Sequence, residues 1–393
     1  MTEPKLRAAK IPTAVVFLGL TSLFTDIGGE MIFPLLPMFL ASLGAAPAFL
    51  GLVEGVAEAT AAFLKLGSGY VADRVPNKKP LVLFGYSLAT LVRPLVAIAT
   101  APWHVLVVRV MDRVGKGIRA TPRDALIANA AGEGDAGRAF GFHEAMDHTG
   151  AVLGPLLATV LLAVGLTVRH VFWVALIPGI LAVLCVIALK EPPAPPKPRT
   201  SADARLKLPG PLRSYLLILA VFSLGNSSDA FLLLRAKEVG VGVAFIPAIW
   251  AAFHVVKVIS AWFFGKWSDR LPRTWVIIAG WAVYGLSYLA FGLADQQWQI
   301  WGLFGVYGTY YGMTAPAEKA LMKDLAPVAI RGRAYGYYNF ILGAAAIPAG
   351  LLTGFLWQAY SPFVALAAGA GLAGVSSAGL LVWAVTAKPA TPG

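Results

Sequence analysis

Apolar residues run along the chain in stretches of about twenty, the length at which an α-helix crosses the hydrocarbon core of a bilayer, and clusters of Gly, Pro or charge separate them. Twelve segments are predicted, near 13–42, 47–72, 80–100, 102–121, 139–165, 170–190, 212–234, 244–268, 274–294, 297–318, 334–357 and 362–386. The first is far longer than the roughly 7–15 residue core of a signal peptide, so it reads as a retained span. Between the sixth and seventh lies Glu191-Pro-Pro-Ala-Pro-Pro-Lys-Pro-Arg-Thr, a proline-rich, charged stretch that suits an extended linker. The expected organisation is a six-helix unit over 1–190, a linker over 191–210 and a second six-helix unit over 211–393.

The pattern repeats. The polar turn after the second segment, Gly69-Tyr-Val-Ala-Asp73-Arg74-Val-Pro76, returns 196 positions later as Gly265-Lys-Trp-Ser-Asp269-Arg270-Leu-Pro272. Gly137-Arg138-Ala-Phe-Gly141-Phe returns as Gly332-Arg333-Ala-Tyr-Gly336-Tyr at an offset of 195. Both offsets are close to half of the 393 residues, and an even number of segments separates the copies. The halves are therefore expected to run parallel, related by an axis along the membrane normal.

Composition agrees with burial in lipid: 58% of residues are apolar and 13% charged, against about 45–50% and about 25% in soluble domains. A net charge of +12 raises the question of nucleic acid. The basic residues answer it, because Lys5 to Lys10, Arg74 to Lys79, Arg119 to Arg138, Lys190 to Arg213, Lys266 to Arg273, Lys319 to Arg333 and Lys388 all fall on one side of the predicted membrane. Arg169, Arg235 and Lys237 are left on the other. The positive-inside bias then places both termini and the linker in the cytoplasm of a cell whose inner membrane holds the protein, and topology accounts for the charge without nucleic acid. The single cysteine, Cys185, excludes a disulfide framework. No nucleophile with a base at triad spacing and no phosphate-binding loop occurs, so neither an enzyme nor a cofactor is expected, and the chain reads as a monomer.

Three stretches carry a family resemblance. Gly69 to Lys79 resembles the signature loop of the major facilitator superfamily, with Pro76-Asn77 where Gly-Arg is usual. Leu106-Val-Val-Arg109-Val-Met-Asp112-Arg113-Val-Gly115 resembles its second motif, with Arg113 in place of a glycine. Gly150-Ala-Val-Leu-Gly154-Pro155-Leu-Leu-Ala158-Thr159 is similar to the motif of its antiporters, closing on Ala-Thr instead of two glycines. The resemblance implies an all-α membrane protein of twelve transmembrane helices in two pseudo-symmetric six-helix bundles, working by alternating access in the general manner of proton-coupled drug exporters. For Asp73 and Arg74, with Gly69, it implies a cytoplasmic latch, which the repeat extends to Gly265, Asp269 and Arg270.

Charges inside the spans point to the site. A lone charge at mid-membrane costs about 2.5–3.5 kcal/mol on insertion scales, so it persists where it is paired, hydrated or needed. Asp26 and Glu30 share one helix face, as do Glu54 and Glu58. Arg109, Asp112, Arg113 and Lys116 form a polar stripe on the fourth span, and Arg93 stands alone on the third. All are expected to face a hydrated cavity. Moving an arginine towards or away from a desolvated carboxyl changes whether it holds a proton. Asp26 and Glu30 are accordingly the expected proton-coupling or cation-binding acids, with Glu58, Asp112 and Arg113 beside them and Arg109 as the residue that modulates them. Glu54 is expected nearer the outer face, as an entrance charge.

On the fifth span His143, Glu144, Asp147 and His148 make two acid–histidine pairs at i, i+4, a spacing that suits a gating network and equally a transition-metal site. In the second half Asn226, Asp229, His254 and Tyr310 are candidates to line a substrate cavity with Glu54 and Arg93. Taken together these residues suggest a proton-coupled exporter of a cationic or amphipathic small molecule in a lipid bilayer. The alternatives are a divalent-metal exporter built on His143 and Asp147, or uptake of a small organic solute.

Overall fold

The computed structural model describes residues 11–72, 74–131, 136–191, 208–268, 271–327 and 330–386, without the side chains of 136, 265–268 and 332. The linker from 192 to 207 and the latch residues Asp73, Asp269 and Arg270 lie outside the described residues. Among those described there is no strand. A chain in hydrocarbon must satisfy its backbone polar groups internally, which leaves the helix as the form for each apolar run.

The first half comprises α1 (Thr13–Ile32), α2 (Leu36–Ser42), α3 (Pro47–Ala72), α4 (Lys79–Val92), α5 (Pro102–Ala131), α6 (Ala136–Ala163), α7 (Val168–Val174) and α8 (Leu176–Ala188). The second comprises α9 (Gly210–Gly225), α10 (Ala230–Glu238), α11 (Ile246–Ser268), α12 (Arg273–Leu293), α13 (Gln297–Leu325), α14 (Arg331–Ala359) and α15 (Pro362–Thr386). Four spans are broken along their length, the sixth at Ala175 between α7 and α8. Pro34 and Pro37 tighten Phe33–Leu35 into a 3₁₀ turn between α1 and α2, and Pro94 does the same to Arg93–Ile98 after α4. Asn226 leaves helical geometry and separates α9 from α10.

Among the described residues ten spans are long and apolar enough to cross a membrane. The other two differ in why they are less apolar: α5, 30 residues long, carries a run of charges, and α13, 29 residues long, is rich in Gln, Tyr and Gly. Both outrun the expected segments, α5 continuing from 121 to Ala131 and α13 from 318 to Leu325. Polar helix beyond the apolar run projects past the membrane, where hydropathy no longer marks it. Leu217, Leu286 and Val382, exposed by 70, 67 and 62%, illustrate the lipid-facing exterior.

Packing repeats between the halves: α3 on α5 and α4 on α5 have counterparts in α11 on α13 and α12 on α13. Gly44 and Gly240, 196 positions apart, each turn the chain after the first span of a half, at φ of 84° and 99°. That left-handed geometry favours glycine. The halves meet along α3 with α14 and α6 with α11. At the first seam Gly51 faces Gly350 so closely that a Cβ on Gly51 would lie 2.0 Å from the Gly350 carbonyl oxygen. Small residues of this kind let membrane helices approach backbone to backbone. At the end away from the basic loops, α2 also packs against α10.

Candidate functional site

A cavity of about 530 Å³ opens between the halves. It runs from Phe33 and Trp250 at its inner end to Lys65 and Asn339, which are exposed near the basic loops. The inner end is closed by contacts across the halves. The Trp250 ring lies 5.1 Å from Phe33, its Nε1 donates to Glu30 Oε2 over 2.7 Å, and His254 Nε2 sits 3.9 Å from the same oxygen. A smaller chamber of about 90 Å³ lies inside the first half, bounded by Asp26, Arg93, Arg109, Asp112, Lys116 and Arg119. Glu30, Phe33 and Arg113 border both spaces.

The helix that carries Asp26 and Glu30 is held in place by the glycines of the antiporter-like stretch. Cβ atoms added to Gly150 and Gly154 would meet the Leu23 and Ile27 carbonyl oxygens at 2.5 Å, and would lie 3.0 and 3.2 Å from the Cβ atoms of Asp26 and Glu30. Bare backbone at those two positions seats α6 directly against the acidic face of α1.

The basic stripe on α5 is matched acid by acid. Arg109 clamps Glu54 through Nε at 3.0 Å and Nη2 at 2.7 Å, with both residues buried. Arg93 Nε reaches Asp112 at 2.7 Å and its Nη1 donates to the Thr25 carbonyl at 2.7 Å. Arg113 meets Glu58 at 3.0 Å. Two expectations change here. Glu54 borders the central cavity as expected but is no entrance charge, because α3 turns it against α5, where it is 2% exposed and held in an ion pair with Arg109. That same pair occupies Arg109, which therefore contacts neither Asp26 nor Glu30. Arg93 likewise bounds the inner chamber and not the substrate cavity, its guanidinium being committed to Asp112.

The histidine run on α6 divides between two faces. His143 is 5% exposed, whereas Glu144 faces outward and pairs with His148 at 3.6 Å. Asp147 turns the other way, accepts from Ser22 and stands within hydrogen-bonding reach of Asp26. Among the described residues no group of three or more His, Cys, Asp or Glu could hold a metal ion. His143 and Asp147 share one face and Glu144 and His148 another, with Asp147 engaged by Ser22, so among the described residues neither pair gathers a third ligand. Of the latch, Gly69 packs against Thr121 and Arg74 lies 3.4 Å over the Tyr70 ring.

In the second half Asn226, Asp229 and His254 line the cavity as expected. Tyr310 does not. Its hydroxyl accepts from Asn226 Nδ2 at 3.2 Å, but its ring is buried against Tyr284, and the next residue, Tyr311, takes the cavity wall. Tyr311 and Tyr307 donate to Asp229 at 3.0 and 2.6 Å. Sequence reasoning missed Trp250 as the partner of Glu30 and missed Glu318, a buried acid bonded by Trp281 at 3.2 Å and Tyr338 at 2.9 Å. Glu318 closes the predicted segment 297–318 beside Lys319, where an acid reads as an end-of-span charge.

A family model described as Major Facilitator Superfamily matches residues 18–234 and 215–393. An uncharacterized MFS-type transporter of Methanocaldococcus jannaschii is 33% identical over 377 residues, 94% of this chain and 94% of that protein. Multidrug resistance protein MdtH of Photorhabdus laumondii is 25% identical over 334 residues, 82% and 81% of the two chains. Among solved structures, a bacterial homolog to the human lysosomal transporter Spinster, inward-facing and occupied, superposes with a TM-score of 0.77 at 15% identity over 95% and 96% of the two chains.

Proposed function

The chain belongs to the major facilitator superfamily, and on that premise we propose that it exports an amphipathic small molecule bearing a basic nitrogen, in exchange for protons, by alternating access. It is a membrane transporter and not an enzyme. The two units over 1–190 and 211–393 rock about the seam between α3 and α14, joined by the linker, with both termini in the cytoplasm of a monomer in the inner membrane. The cavity as it stands faces the basic loops and hence the cytoplasm.

The observation that carries the reading is the position of Glu30, which borders both the central cavity and the inner chamber where Asp26 lies. A carboxylate shared between a substrate space and a buried acid can hold a proton or a substrate cation but not both. In the outward-facing state Glu30 and Asp26 take protons and release substrate. In the inward-facing state the protons leave to the cytoplasm and the next cation approaches Glu30 in competition with the Trp250 N–H. Asp147 supports this sequence, since two carboxyl groups in contact share a proton more readily than they both carry charge. The name of the MdtH relative favours drug-like molecules among amphipathic substrates.

The test is transport by the purified chain in proteoliposomes loaded with a lipophilic cation. An imposed pH gradient should drive cation flux and a protonophore should abolish it; flux indifferent to the gradient contradicts proton coupling.

A further inference from the structure

We propose that the C-terminal wall of the cavity carries a docking point for an anionic group, at Lys257 with His254 one turn before it, so that the transported molecule bears an acid as well as a base. The inference rests on the transport reading above and narrows its substrate class.

Lys257 and His254 lie three positions apart on α11 and both line the cavity. His254 is 7% exposed, and neither ring nitrogen has a hydrogen-bond partner among the described residues. Buried polar groups are almost always partnered, so an imidazole without one at a cavity wall is placed for something that arrives there. The Lys257 ammonium lies 4.5 Å over the Tyr311 ring and forms no ion pair with a described carboxylate. Asp229 on the same wall is taken by the hydroxyls of Tyr307 and Tyr311. On the opposite wall the balance differs, since Glu58 is matched by Arg113 at 3.0 Å.

The C-terminal wall thus keeps an ammonium that has only the Tyr311 ring against it and an imidazole without a hydrogen bond, its nearest carboxylate oxygen being Glu30 Oε2 at 3.9 Å. A carboxylate, phosphate or sulfonate supplies the ammonium with the counter-charge that the fold withholds and gives the imidazole a hydrogen-bond partner. The basic nitrogen of the same molecule then takes Glu30, whose Oε2 lies 3.9 Å from His254 Nε2, so the two charges dock side by side, and its apolar body lies on the rings of Phe33, Trp250 and Phe253. Such a molecule bridges the two halves through its two charges, so it binds tightly only when both walls are in reach.

Three probes of one skeleton separate the terms: tryptophan carries both charges, tryptamine the ammonium alone and indole-3-propionate the carboxylate alone. Binding of each to the full chain is measured by calorimetry in detergent and by competition in proteoliposomes. Tryptophan should bind about tenfold more tightly than either single-charge probe, one well-placed charge pair being worth about that factor. Lys257→Met should cost tryptophan about the same factor while tryptamine gains, because a repelling ammonium is gone, and Lys257→Arg should restore tryptophan binding. A misfolded variant would lose all three probes, so the opposite response of tryptamine keeps the test valid. Absence of tryptophan binding, or an affinity for it that Lys257→Met leaves unaltered, overturns the inference. Proton-driven tryptamine flux alongside that result would leave the transport reading intact, whereas absence of gradient-driven flux for any cation would sink that reading separately.

Discussion

Glu30 and Trp250 join the two halves of the molecule by one hydrogen bond, Nε1 to Oε2 at 2.7 Å, at the closed end of the cavity. A bond from a neutral donor to a carboxylate contributes about 1.5–3 kcal/mol, and this one ties the halves together at the closed end. Trp250→Phe keeps a ring against Phe33 but removes the donor. Spin labels at the outer ends of α2 and α10 should then report a larger share of molecules opened at that end.

The clamp between Arg109 and Glu54 is structural. Glu54→Gln leaves the buried Arg109 guanidinium with only Asp112, 3.9 Å away and already bound by Arg93, as counter-charge; losing one partner of a buried pair costs about 3–5 kcal/mol in comparable cases and should lower the thermal midpoint in detergent by many degrees. Joint replacement Glu54→Gln with Arg109→Met should recover most of that midpoint, since the uncompensated charge is removed with its partner.

The seam of Gly51 on Gly350 admits no side chain. Gly51→Ala places a methyl 2.0 Å from a carbonyl oxygen, and α3 and α14 must move apart to relieve it. Overpacking of this kind costs about 1–3 kcal/mol. The expected phenotype is slow transport with nearly unchanged substrate affinity, because the seam is where the halves pivot, and rate measured against affinity in proteoliposomes checks it.

No metal is expected in the cycle. With Glu144 exposed, His148 partly buried beside it and Asp147 turned towards Ser22, chelation of trace metal should leave flux unaltered. His148→Ala should behave as the unaltered chain does in the same assay.

Spans and duplication were legible in the sequence because the bilayer dictates them. Apolar length marks a crossing, and the repeat at 196 residues recurs in the left-handed turns at Gly44 and Gly240. Partnership across helices was not legible, because it depends on how each helix is rotated about its axis. That is why Arg109 was assigned to Asp26 and Glu30 but holds Glu54, why Arg93 was placed on the wrong space, and why Tyr310 was chosen where Tyr311 faces the cavity. One residue along a helix turns the side chain by about 100°, more than hydropathy can resolve. The ends of α5 and α13 escaped for a different reason: a helix continues into water on its hydrogen bonds after the apolar signal has stopped.

The central claim is that Glu30 and Asp26 exchange protons for substrate. It is tested most directly by comparing two modes of flux in proteoliposomes of the Asp26→Asn, Glu30→Gln double variant. Exchange of labelled for unlabelled substrate at equal pH needs no net proton movement, while accumulation driven by a pH gradient does. The account predicts that gradient-driven accumulation is lost while exchange persists only at raised substrate concentration, because Glu30 also receives the substrate's basic nitrogen. Accumulation at the rate of the unaltered chain would contradict it.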